Sequence, residues 1–133
     1  MIFTESKWAE RLNDLASLEA GWYEGHGEAL SSTTLNKVDE ILHLLDSPNF
    51  HVPGIYPLID EGVIAMEWSE VGHPCLVSFQ FTEDFVYEVF SMDSKGHPDE
   101  DVLVETASFD EAMKLLRECL TKARLLTKCV TRD

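Results

Sequence analysis

The spacing of apolar residues along this chain changes twice, and that change restricts the fold more than any bulk property does. From residue 4 to 45 apolar side chains recur at three- and four-residue intervals. From Pro53 they alternate with polar ones, and after Ser108 the helical spacing returns. A helical period cannot place one face of a strand in a core, nor a period of two one face of a helix. The chain is therefore expected to run helix, helix, four or five strands, helix.

Residues 4–20 predict the first helix, with Trp8, Leu12, Leu15 and Leu18 on its apolar stripe and Thr4 as its N-cap. Phe3 and Trp8 stand where a hydrophobic staple belongs, and Gly21 where a glycine stop belongs. A second helix is expected from Ser31, presenting Leu35, Val38, Ile41, Leu42 and Leu45 to the core and ending before Pro48. Strands are expected near residues 54–59, 62–69, 74–82 and 84–92, with a short fifth at 102–105. Their connections Asp60-Glu61-Gly62, Val71-Gly72-His73-Pro74 and Glu83-Asp84 are short, which implies an antiparallel meander. Ser108 and Glu111 make a capping box for the last helix, whose stripe runs through Phe109, Ala112, Met113, Leu116, Cys119, Leu120 and Ala123.

The fold class that follows is α+β: a four- to five-stranded antiparallel meander with two N-terminal helices and one C-terminal helix, in a single domain over residues 1–133. A chain of 133 residues that is 44% hydrophobic can bury a core without metal or disulfide staples. The three cysteines, Cys75, Cys119 and Cys129, form no CxxC pair and read as small hydrophobes of a reducing compartment. No apolar run is long enough to cross a bilayer, and the N-terminus lacks the pattern of a signal peptide, so a cytoplasmic location is expected.

Charge limits the partners. The formal net charge is −15, and 23 of the 25 acids but only 4 of the 10 bases lie in residues 1–112. Binding to a nucleic-acid backbone or an anionic membrane needs clustered Lys and Arg, so neither is expected. The six bases of residues 113–133 complement the dipole of a final helix. His26, His43, His51, His73 and His97 are scattered without a ligand partner at zinc-site spacing, and no metal or other cofactor is expected. Gly21, Gly25 and Gly27 are not a phosphate loop, because Glu24 and Glu28 would repel the anion. No nucleophile motif is present, and the chain does not read as an enzyme.

Two stretches resemble a family of short bacterial proteins of unassigned function. One is the leucine-rich first helix and the loop Gly21, Trp22, Tyr23, Glu24, Gly25, His26, Gly27, a GW-acidic-G-x-G pattern. The other runs from Pro53 through Asp60, Glu61 and Gly62 to Met66, Glu67 and Trp68, where this chain has Glu61 in place of a second glycine. The match covers roughly residues 8–68, and what it implies is a shared scaffold with no particular activity. Trp8, Trp22 and Trp68 are expected to be largely buried, with Trp22→Ala costing roughly 3–5 kcal/mol.

Two functional readings come from these residues. Phe85, Tyr87 and Val89 alternate with Val86, Phe90 and Met92, so the fourth strand is apolar on both faces. Either helices cover both faces of the sheet or one face is a contact surface. The first reading is thus a small acidic protein-binding module, of the inhibitor, antitoxin or immunity type, that meets a basic protein, or a second copy of itself, through Val86, Phe90 and Met92. The alternative is a small-ligand site or enzyme walled by Trp22, Tyr23 and His26 of the glycine loop and by Glu67 and Trp68 at a strand end.

Overall fold

The expected change of period appears as three helices and five strands in the computed structural model, which describes residues 3, 6–23, 25, 27, 29–46, 50–58, 63–69, 75–82, 84–93 and 102–122. Helix α1 is Ala9–Ala16, α2 is Ser32–Leu45 and α3 is Phe109–Lys122. Strands β1 (Gly54–Pro57), β2 (Ile64–Trp68), β3 (Cys75–Phe81), β4 (Tyr87–Asp93) and β5 (Val102–Thr106) form one sheet in sequence order. Every neighbouring pair is antiparallel. The fold is α+β with the helix and strand order that the sequence implies.

One face of the sheet and all three helices make the core. Ile55, Ile64, Met66, Trp68, Val77, Phe79, Phe81, Tyr87 and Val89 alternate onto that face and are buried against Leu12, Leu15, Leu35, Ile41, Leu42, Leu116 and Leu120 of the helices. Helix α1 lies against α2 and β1, while α3 packs along β3, β4 and β5. The last helix therefore joins the first two on one side. Of the two arrangements the sequence left open, helices on both faces or one face bare, the described helices adopt the second.

Helix α1 is shorter than its apolar stripe. Trp8 occupies the N-cap without a capping bond. Its indole instead points into the core, where Nε1 donates to Asp39 Oδ1 at 2.8 Å and the ring meets His43 and Phe50 edge-on. Phe3 folds back along the helix through two hydrogen bonds with the Asn13 side chain, which replaces the staple geometry expected of it. Ser17 ends the helix by donating to the Asp14 carbonyl. Helix α2 follows its sequence signature: Ser31 accepts from the Thr34 amide, and Leu35, Val38, Ile41, Leu42 and Leu45 are buried. Thr4, Pro48, Ala123 and the turns Asp60-Glu61-Gly62 and Val71-Gly72-His73-Pro74 lie outside the described residues.

Strand β4 begins at Tyr87, three residues later than the expected start at 84. Phe85 adopts φ +58°, a left-handed conformation rare for an aromatic residue, and its amide donates to the Thr82 carbonyl. Packing holds it there. Its ring stacks on Tyr87, and the Lys37 ammonium sits 5.5 Å from the Phe85 ring and 4.2 Å from that of Phe109. Helix α3 has a modified capping box. Ser108 Oγ accepts from the Glu111 amide, but the Glu111 carboxylate accepts from the Thr106 hydroxyl, whose oxygen in turn accepts from the Ser108 amide. Cys119 is buried in this helix, and burial pushes its thiol pKa up, as befits a packing residue.

Candidate partner-binding face

Side chains that do not enter the core alternate onto the opposite face of the sheet, and the register sets their neighbours. Gly54, Glu67, Ser78, Phe90 and Leu103 form one row across all five strands. Tyr56, Ala65, Gln80, Glu88 and Glu105 form the next, and Leu76 stands opposite Met92. No helix lies over this face among the described residues. Leu103 is 67% exposed and Met92 36%, while Phe90 and Leu76 are half-buried. Val86 stands opposite Thr82 in the turn before β4, where its carbonyl accepts from the Thr82 amide. Phe90 and Met92 thus share one face, joined by Leu76 and Leu103. The sequence pattern of β5 holds the signal for Leu103, which reads as a strand position whose parity puts it beside Phe90.

The polar half of the face is acidic. None of the five strands contains a Lys or Arg, whereas Glu67, Glu88 and Glu105 all point to this side. Glu88 and Glu105 are cross-strand partners, an arrangement in which like charges are held about 5 Å apart at Cβ. Four basic side chains have described partners away from this face: Lys7 pairs with Asp46, Lys37 with Glu40, Arg117 donates to the Leu44 carbonyl, and Arg11 on α1 donates to the Ile55 carbonyl at the β1 edge. Glu67 accepts a 2.7 Å hydrogen bond from the Tyr56 hydroxyl. Burial, then that hydrogen bond and the Glu67 charge, push the Tyr56 pKa up to about 12.

The ligand wall expected from Glu67 and Trp68 does not form. These two residues are neighbours in β2, so they point to opposite faces. Trp68 is 2% exposed inside the core, with Nε1 donating to the His51 carbonyl at 2.8 Å, while Glu67 sits with Tyr56 on the outer face. Trp22 and Tyr23 follow α1 in the glycine loop, which is closed by the Gly21 amide donating to the Gly27 carbonyl. Trp22 is half-buried, in contrast to the burial expected of it, and its indole packs close against Gly27. Tyr23 is exposed with its ring 6.1 Å from Trp22. His26 lies outside the described residues.

Among the described residues no three His, Cys, Asp or Glu side chains gather as a metal site would require, and no helix is long and apolar enough to cross a membrane. The chain matches no protein-family model, and neither curated proteins nor solved structures yield a match.

Proposed function

We propose that this chain is a protein-binding module whose docking surface is the outer face of the sheet, and that its partner is basic. The observation that carries this reading is the layout of the face: Phe90, Met92, Leu76 and Leu103 stand together without a covering helix, beside Glu67, Glu88 and Glu105 without a single strand-borne base. An apolar centre with a charged surround is the usual anatomy of a protein interface. Covering an apolar side chain contributes roughly 1.5–3 kcal/mol where it becomes fully buried. The acids add orientation and a fast encounter with a positively charged surface.

A second copy fits the same face poorly. Face-to-face packing would set acids against acids, and each chain brings a net charge of −15. An inhibitor, antitoxin or immunity role, in which a small acidic protein covers the working surface of a basic one, is the kind of function this geometry serves without catalysis.

A photo-crosslinking residue placed at Phe90, compared with one at exposed Asp14 on the helical side, tests the proposal in the native host. The expected result is a crosslink from position 90 alone to a basic protein. The purified pair should then bind more weakly as salt rises, and Phe90→Ser should weaken it about tenfold. Equal crosslinking from both positions, or unchanged binding by Phe90→Ser, would overturn it.

A further inference from the structure

The two edges of the sheet are unlike. At one edge, β1 is four residues long, contains Gly54 and Pro57, and follows Pro53. Its Ile55 carbonyl already accepts a 2.7 Å hydrogen bond from Arg11 Nε. Proline, short length and a capping cation are the usual protections of an edge strand. At the other edge, β5 is also short, at five residues, but has no proline and no capping cation. It runs Val-Leu-Val-Glu-Thr without proline, glycine or a base, and the described hydrogen bonds give its outward backbone groups no partner. The core-facing residues of β5 show the same incompleteness. Val104 and Thr106 are only half-buried, while their register partners Val89 and Tyr87 are buried, and Val102 is half-buried opposite half-buried Ser91.

We infer that β5 is a strand-addition site, at which an extended segment of the basic partner pairs antiparallel as a sixth strand. This rests on the protein-binding reading of the sheet and specifies how that partner is held. Backbone hydrogen bonds to β5 supply affinity, and alternate side chains supply selection. Three positions of the incoming segment are defined by the register. The residue opposite Glu105 lies beside the Glu88–Glu105 pair and is Lys or Arg. The residue opposite Leu103, two positions further on, extends the Phe90–Leu103 row by one strand and is apolar. The residue between them faces the core side next to Val104 and is β-branched, which would complete the burial of Val102 and Val104. A segment reading basic, β-branched, apolar is therefore the preferred occupant. Self-pairing of β5 fails the first condition, since the strand offers only Glu105 as a charged residue.

The test uses the full chain and a short capped peptide reading threonine, lysine, valine, leucine, threonine, followed through backbone amide signals by NMR. The comparison is the same peptide methylated on its backbone nitrogens, which keeps the side chains and removes the edge hydrogen bonds. Support is a shift centred on Val102–Thr106, slowed amide exchange at alternate β5 residues, loss of both with the methylated peptide, and about fivefold weaker binding by Glu105→Lys. Three results would overturn strand addition: no shift at millimolar peptide, equal binding of the methylated peptide, or a doubled mass with protected β5 amides before peptide is added. Equal binding of the methylated peptide with shifts centred on Phe90 and Met92 would reject the edge and leave docking on the face intact.

Discussion

Glu88 and Glu105 face each other across the β4–β5 ladder, and no described base stands beside either. A like-charged cross-strand pair lowers stability, so its presence makes the surface less stable than the fold requires. Glu105→Lys is expected to stabilise the chain by about 1 kcal/mol. The thermal midpoint should rise by roughly 3–5 °C, a difference that narrows as salt is added. An unchanged or lowered midpoint would show that the pair is not a source of strain. The same substitution is expected to weaken partner binding, the signature of stability given up for function.

The glycine loop offers a contrast between two neighbours. Gly25 has φ +88° with open space around a would-be Cβ, so Gly25→Ala is expected to cost only the left-handed backbone term, about 1–2 kcal/mol. Gly27 has φ +95°, and a Cβ there would meet Trp22 Cε2 and Nε1 at 2.6 Å. Gly27→Ala should therefore cost a further 1–3 kcal/mol, roughly, and perturb the Trp22 emission. Urea denaturation measures both, and equal losses would contradict the packing of the indole on Gly27.

The three tryptophans are expected to differ. Trp8 is 1% exposed and hydrogen-bonded to Asp39, so Trp8→Ala should cost roughly 3–5 kcal/mol. Half-buried Trp22 should cost less, roughly 1–2 kcal/mol. Acrylamide should quench one component of the tryptophan emission, and Trp22→Phe should remove that component. Quenching that survives this substitution would place the accessible indole elsewhere.

Tyr56 gives a pH dependence with a definite sign. Its pKa is raised from 10.0 to about 12 in the folded chain, so folding favours the protonated phenol. The resulting stabilisation is complete below pH 10 and is lost as pH rises from 10 to 12. Burial also raises the pKa of Tyr87, so absorbance titration at alkaline pH should show late tyrosine ionisation that shrinks in Tyr56→Phe, and Glu67→Gln should bring the Tyr56 pKa down. An ordinary titration of Tyr56 would mean that the Glu67 contact is absent in solution.

The helices and the sheet order were legible because period and turn chemistry are local. Ser31, Ser108 and the stripe through Val38 and Ile41 needed no tertiary information. Where prediction and structure part, a long-range contact decides. Helix α1 starts late, after Trp8, whose indole reaches Asp39, 31 residues away. Phe85 leaves the strand because Lys37, Phe81 and Tyr87 hold its ring. The apolar surplus of β4 was visible in Phe90 and Met92, but sequence could not show which face the last helix would take. It also could not show that Glu67 and Trp68, adjacent in the chain, belong to different sides of the sheet, since that requires β2 to keep an unbroken pleat through both.

Thr106 ends β5 and also supplies the hydroxyl that links the Ser108 amide to the Glu111 carboxylate at the start of α3. The edge of the sheet and the first turn of the last helix are thus hinged on one side chain. A guest strand that draws β5 outward by a fraction of an ångström would lengthen those two bonds before it disturbed anything else. The first turn of α3 would then register occupancy of the edge through the Ser108 amide and the Glu111 carboxylate.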